Sequence, residues 1–263
     1  MLETRQTAIL EELERKGNVE VKKLSRMLNV TEKTIRLDLI RMEKDGLLKR
    51  VHGGAVVNIR DAEDVISNPL RIANISCKEA IAKAAYDYIR TLDESSPVIY
   101  IDAGTTTFEF ARLLKNFPNL TVITNDLLVA AKLSNYDGHL SVTGGVLSNN
   151  VNRYLTGSDT VDTIRKHPTS LCLIGASSLD VETGLYTHTD NDASVKKAAM
   201  SMSRKVVCLA DHTKFNKISF VRFADMNEID VIITDHQTPE EQIRLLEEKG
   251  IEVIVAGNSD HSD

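Results

Sequence analysis

Apolar positions recur at helical spacing along the first part of the chain. Ile9, Leu10 and Leu13 mark one face of a first helix, with Arg15 and Lys16 suited to its negative end and Gly17 to its C-cap. Val21, Leu24, Met27 and Leu28 mark a second helix, and Asn29-Val30 a tight turn. Ile35, Leu39 and Met42 form the stripe of a third helix over 31–45, opened by Thr31 as N-cap with Glu32 in the first turn and ended by Gly46. Leu47–Val51 and Ala55–Val57 flank His52-Gly53-Gly54, which predicts a small β-wing. Residues 58–75 are polar, contain Asn68-Pro69, and predict a linker. The pattern then changes to short apolar runs alternating with helical segments. Strands are predicted at 98–102, 120–124, 140–143, 170–175, 205–210, 229–234 and 251–255, and helices at 77–92, 106–116, 126–134, 159–166, 191–203 and 239–248. That alternation predicts an α/β domain over 76–263, with a mostly parallel sheet covered by helices on both faces.

Charge divides the chain at the same place. Residues 1–60 hold 13 Lys/Arg against 9 Asp/Glu, and the remainder 19 against 29, so a head of +4 is joined to a body of -10. A basic head on an acidic body fits a protein whose head alone meets a polyanion. The 263 residues are 27% charged and 42% hydrophobic, an ordinary globular composition that excludes collagen-like, low-complexity and disordered classes. No apolar run reaches the ~18 residues that span a bilayer, and Met1–Gln6 has no apolar core, so neither membrane span nor signal peptide is expected and the expected location is the cytoplasm. Cys77, Cys172 and Cys208 are read as buried thiols, not as a disulfide framework.

Within the head, two short helices joined by a tight turn, the second of them basic, make a helix-turn-helix pattern. Lys33, Thr34 and Arg36 sit near the N-terminus of the third helix and off its apolar stripe, at the end that enters a major groove. Arg36 is placed to reach a guanine edge or a phosphate, Thr31 or Thr34 a phosphate oxygen, and Lys22, Lys23 and Arg26 the backbone. Arg50 and His52 belong to the wing. A solvated basic bundle used for protein contacts is the competing reading of this pattern.

In the body, the turns after the predicted strands carry the polar residues, and in such sheets ligands sit at the carboxyl ends of the strands. Asp102-Ala103-Gly104-Thr105-Thr106-Thr107 leads from a strand into a helix whose free N–H groups and hydroxyls suit a phosphate; plain capping by Thr is the alternative. The loop lacks the Gly-Lys-Ser/Thr of a P-loop. Thr124-Asn125, Thr143-Gly144-Gly145, Gly175-Ala176-Ser177-Ser178 and Ala210-Asp211-His212-Thr213-Lys214 follow other strands. The predicted ligand-binding set is Asp102, Gly104, Thr105, Thr106, Thr107, Asn125, Gly144, Gly145, Gly175, Lys196, Asp211 and Lys214, with the phosphate on residues 104–107 and Lys214 balancing its charge.

The stretches Val30–Leu39 and Gly46–Ala55 closely resemble the winged helix of the DeoR family of bacterial transcription regulators. One departure is Leu37, where the family usually has a second Arg; this removes a cationic contact and points to a different operator preference. The strand-end motifs named above, ending in Ala210-Asp211-His212-Thr213-Lys214-Phe215, resemble the sensor domain of the same family, so the resemblance covers nearly the whole chain. It implies a winged helix-turn-helix followed by a Rossmann-like domain similar to ribose-5-phosphate isomerases and CoA transferases. The implied function is a repressor of sugar-catabolic genes that binds double-stranded operator DNA and is released by a phosphorylated sugar, with no other cofactor.

The alternative is a sugar-phosphate isomerase-like enzyme with a DNA-binding head. Such chemistry needs a general base at the substrate carbon, and after the fourth strand, where the related isomerases carry acidic residues, this chain has Ala176, Ser177 and Ser178. No catalytic residue is therefore assigned. A nonspecific architectural DNA protein conflicts with the acidic body. The seven histidines show no ligand spacing, so no metal site is expected. One small reader makes too few contacts for a unique genomic site, so a homo-oligomer, dimer or tetramer, is expected.

Overall fold

The computed structural model describes residues 4–16, 18–44, 47–56, 73–92, 97–117, 119–148 and 153–257. The chain divides into two compact units, one within Met1–Ile75 and the other made by Ser76–Ser148 with the chain from Asn152 onward.

The first unit contains α1 (Thr4–Lys16), β1 (Asn18–Glu20), α2 (Val21–Met27), α3 (Glu32–Lys44), β2 (Lys49–Val51) and β3 (Gly54–Val56). Most of the predicted stripe residues form its core: Ile9, Leu10, Leu13, Val21, Leu24, Ile35, Leu39 and Met42 are buried together with Leu48 and Ala55, Leu28 is partly buried against them, and Met27, expected on the α2 stripe, is instead exposed. The wing is a three-stranded antiparallel sheet in the order β1-β3-β2. Its third strand, β1, is not predicted from the pattern, because three residues carry no period. Gly54 is required where β3 passes β1: a Cβ there would lie 1.9 Å from the Val19 carbonyl oxygen. Asn29 makes the turn between α2 and α3 with φ +51°. Gly17, Gly46 and Val57, expected at element ends, and most of the predicted linker lie outside the described residues.

The second unit is built on a seven-stranded parallel sheet in the order β15-β14-β12-β9-β4-β5-β6. Its strands are β4 (Val98–Ile101), β5 (Thr121–Thr124), β6 (His139–Val142), β9 (Thr169–Gly175), β12 (Ser203–Leu209), β14 (Val231–Asp235) and β15 (Glu252–Ala256), one for each predicted strand. Alternate residues serve opposite faces. Ile99, Ile101, Leu171, Leu173, Val207 and Leu209 pack in one cluster with Ile81, Ala85 and Ile89 of α4 (Ile75–Ile89) and Phe110 of α5 (Thr105–Leu113). Tyr100, Cys172, Ile174, Cys208 and Ile232 pack in another with Val195 and Ala199 of α8 (Asp190–Ser201). Burial on both faces is why these strands read as unbroken apolar runs.

Two predicted helices are shorter than expected. α5 gives way at Leu114 to a 3-10 turn, and α6 runs only over Leu127–Lys132, started by Asp126, whose carboxylate accepts from the Leu128 and Val129 amides. α7 (Ser158–Arg165) starts one residue before its predicted range, and α9 (Glu240–Glu248) lies within its own. Two antiparallel additions are absent from the prediction: a ribbon of β7 (Val146–Ser148) with β8 (Tyr154–Thr156), and a sheet of β10 (Ser178–Asp180), β11 (Gly184–Thr187) and β13 (Val221–Ala224). The second supplies Leu179, Leu185 and Phe223 to the core.

Candidate nucleic-acid interface and ligand site

Helix α3 turns Ile35, Asp38, Leu39 and Met42 inward and leaves Lys33, Arg36, Leu37 and Ile40 exposed. The helix starts as its sequence requires: the Thr31 hydroxyl accepts from the Thr34 amide at 3.1 Å and lies 2.9 Å from the Thr34 hydroxyl. Thr31 therefore serves the cap first. Arg36 donates to Glu32 at 2.6 Å, and on α2 Lys23 donates to Glu20 at 2.6 Å beside exposed Lys22 and Arg26. Exposed pairs of this kind are worth little, so both cations can exchange a carboxylate for a phosphate at small cost. Arg50 and His52 are exposed on the wing, His52 next to Gly53 at φ +78°, and the Arg50 amide donates to Glu43 at 2.8 Å.

One head residue escaped the sequence reading. Arg5 of α1 grips Asp38 of α3 with two hydrogen bonds, Nε to Oδ2 at 2.5 Å and Nη2 to Oδ1 at 3.0 Å. Asp38 is buried, so this paired contact fixes α3 against α1. The available signal was an acidic residue on the apolar face of a basic helix.

In the second unit, parallel pairing brings the carboxyl ends of β12, β9, β4 and β5 side by side. Asp102, Gly175 and Asp211 stand at three neighbouring strand ends. Lys196 lies in the middle of α8, one helical turn after Asp192 on the same buried face. Both Lys196 and Asp102 are buried and form a close ion pair; Lys196 also donates to the Gly175 carbonyl at 3.1 Å, and the Gly175 amide to Asp102 Oδ2 at 3.1 Å. Asp192 stands 4.0 Å from the same ammonium and accepts from the Thr187 hydroxyl. Burial alone would push Lys196 down, but the Asp102 and Asp192 carboxylates outweigh it and hold its pKa above the ordinary lysine value. Asp102 Oδ1 has no hydrogen-bond partner among the described residues. Lys197, next in sequence, is exposed.

The other predicted ligand residues divide by burial. Gly104 and Thr105 are partly exposed at the start of α5, while Thr106 and Thr107 are buried and the Thr107 hydroxyl donates to the Gly104 carbonyl at 3.1 Å. Asn125 is buried and engaged on both sides, accepting from Tyr100 Oη at 2.8 Å and donating to the Leu155 carbonyl at 3.0 Å. Gly144 is exposed, and its carbonyl accepts from Thr160 at 2.6 Å. Gly145 has φ +127°, and a Cβ on it would meet Thr160 Oγ1 at 2.1 Å, which accounts for the glycine by packing. Asp211 is buried and accepts from the amide and hydroxyl of Thr213. Burial would raise its pKa, but the ammonium groups of Lys214 and Lys78 and the Thr213 hydrogen bonds hold it below the ordinary aspartate value.

One cluster was invisible in the sequence. Cys77, His212 and Asp235 each bring a ligand-type atom within 4.8 Å of the others, although histidine spacing gave no reason to expect a metal site.

Residues 5–60 match the DeoR-like helix-turn-helix domain, and residues 73–236 the DeoR C terminal sensor domain. The chain is 32% identical to the HTH-type transcriptional regulator GolR of Listeria innocua, over 96% of this chain and 98% of that one. It is 29% identical to the HTH-type transcriptional repressor GlcR of Bacillus subtilis, over 99% of each. Among solved structures, ribose 5-phosphate isomerase A of Methanocaldococcus jannaschii is similar over 54% of this chain and 55% of its own, at 17% identity and a TM-score of 0.40. No helix among the described residues is long and apolar enough to cross a membrane. With a helix-turn-helix head, a sensor body and full-length relatives named as regulators, this chain belongs to the DeoR family of DNA-binding transcriptional regulators.

Proposed function

We propose that the protein represses a carbohydrate-catabolism operon and leaves its operator when a phosphorylated sugar binds the sensor. Residues 1–57 read the DNA, 58–75 link, and 76–263 sense. The observation that carries this reading is the convergence of polar strand ends: Gly104–Thr105 at the start of α5, Gly175, and the Asp211–Lys214 turn follow three neighbouring parallel strands. A helix N-terminus offers free N–H groups to a phosphate, and the Lys214 ammonium after β12, separated from β4 by β9, offers a charge to balance it. The arrangement of the threonines refines the expectation. Thr107 is turned to Gly104, so the backbone of 104–107 and the Thr105 side chain are the groups left to meet the anion.

Sugar and operator sites stand on separate units, so their opposition works through linkage. A ligand lowers operator affinity only by binding the DNA-incompetent arrangement more tightly, and operator must weaken ligand binding by the same factor. A 100-fold release needs about 2.7 kcal/mol of coupling. Two-fold assembly gives this a mechanical form, because paired heads tolerate little error in half-site spacing. Light scattering at micromolar concentration should give at least a dimer mass.

The test is a thermal-shift screen against phosphorylated sugars, in which a ligand at 100 times its Kd adds about 2.7 kcal/mol. Lys214→Ala should still bind operator yet ignore the ligand. If calorimetry showed the matching unphosphorylated sugar binding as tightly, the phosphate placement would be wrong. If the ligand tightened operator binding, the direction of the switch would be wrong.

A further inference from the structure

Cys77 lies in the first turn of α4, His212 in the 3-10 turn after β12, and Asp235 at the end of β14. Three separate elements thus deliver a thiol, an imidazole and a carboxylate to one place, with one ligand atom of each within 4.8 Å of the others. His212 Nδ1 is 2.9 Å from Asp235 Oδ1 and 3.1 Å from Oδ2. Two nitrogen or oxygen ligands of a tetrahedral zinc ion, each about 2.0 Å from the metal, stand roughly 3.3 Å apart, and a thiolate at about 2.3 Å only slightly farther. The observed spacing reaches that geometry through shifts of about 1 Å.

Surrounding groups already hold these side chains as outer partners hold metal ligands. The amides of His212 and Gln237 donate to Asp235 at 2.8 and 3.0 Å, and Gln237 Nε2 donates to Cys77 Sγ at 3.3 Å. Charge favours a cation: the carboxylates of Asp235 and Asp211 both act on the thiol, whose pKa burial and these neighbours push up to about 11. A dication reverses that balance, since a coordinating thiol gives its proton to solvent.

We propose that Cys77, His212 and Asp235 bind one divalent ion of the zinc class, with the fourth position left to water or a ligand oxygen. A mixed sulfur, nitrogen and oxygen set suits zinc better than the hard cations magnesium and calcium, which take oxygen. The ion ties the first turn of α4, immediately after the linker, to the loop carrying Asp211 and Lys214. It therefore stiffens the start of the sensor independently of which sugar the sensor takes.

The test uses tag-free, full-length protein stripped with a chelator and titrated with Co(II) and then Zn(II). We expect one equivalent of Co(II) per chain, tetrahedral d–d bands, a sulfur-to-cobalt charge-transfer band, and a higher Tm with Zn(II). Loss of an outer partner costs up to about 100-fold in metal affinity, so loss of a ligand should cost at least that. Cys77→Ser should accordingly lose the charge-transfer band and weaken Co(II) binding by about 100-fold or more, with operator binding unchanged. X-ray absorption on the zinc-loaded wild type, which needs no variant, should show one sulfur at about 2.3 Å and lighter ligands at about 2.0 Å. A zinc shell without sulfur, or a charge-transfer band that survives Cys77→Ser, would overturn the assignment, as would failure of the wild type to bind Co(II). None of these readouts depends on the effector, so the metal site and the sugar-phosphate reading can fail separately.

Discussion

Lys196 on α8 reaches back 94 positions to pair with Asp102 at the end of β4, and both charges are buried. The ammonium also stands 5.5 Å from the ring centroid of Phe223, so its surroundings are apolar apart from its partners. Removing Lys196 leaves the buried Asp102 carboxyl, whose pKa burial raises, without its cation. Lys196→Met should cost about 3–5 kcal/mol in urea unfolding. The double variant Lys196→Met with Asp102→Asn should recover part of that loss. A single variant as stable as the wild type would mean that the pair does not exist in solution.

Gly145 separates a packing role from a binding role. An alanine there meets Thr160 Oγ1 at 2.1 Å and the Thr156 carbonyl at 2.5 Å, in a backbone conformation with φ +127°. Strain and overpacking together predict a loss of roughly 2–4 kcal/mol for Gly145→Ala. Gly144→Ala, with only Asp159 Cβ at 3.9 Å, should be close to neutral in stability. Chemical denaturation of the two variants side by side decides the matter.

Asp211 predicts how the sensor responds to acid. Although burial works the other way, Lys214 and Lys78 depress its folded-state pKa below 3.8. The unfolded chain therefore binds this proton first as pH falls. The stabilisation is complete above the ordinary aspartate value and is lost as pH drops through the lower, folded one. Asp211→Asn should flatten the acid limb of stability against pH below about pH 4. It should leave the slope near neutrality unchanged, as followed by circular dichroism.

Operator recognition should separate α3 from α2. Arg36→Ala should cost about 1–3 kcal/mol and relax preference at one base pair. Lys23→Ala should weaken binding evenly across sequences and reduce the salt slope by about one. Leu37 is 49% exposed beside Arg36, and an apolar side chain there is expected to meet a thymine methyl once α3 enters the major groove. Leu37→Ala should then lower specificity without changing the salt slope. Gel shifts at several salt concentrations distinguish the three, and an Arg36→Ala protein with unchanged operator affinity would displace α3 as the reader.

Much of the architecture was legible because burial writes a period into the sequence. Ile35, Leu39 and Met42 mark α3, and runs such as Leu171–Ile174 mark strands enclosed on both faces. The elements missed are those whose period is too short to register: β1, the β7–β8 ribbon, and the β10–β11–β13 sheet. Each has strands of only three or four residues, held by cross-strand hydrogen bonds that local composition does not record.

The two-part organisation, the exposure of Arg36 and Lys33 on α3, and the polar turns at the strand ends could all be read from the amino acids alone. These are local properties, set by hydrophobic spacing, capping residues and charge. Which distant side chains meet became visible only in the folded chain. Parallel strand order put Asp102 beside Gly175 and within reach of Lys196; helix packing joined Arg5 to Asp38; and the meeting of α4 with the ends of β12 and β14 gathered Cys77, His212 and Asp235. The physical reason is that pairing order and packing angle depend on the whole core at once. Sequence separations of 33, 73 and 94 residues therefore carry no local trace of the contacts they make.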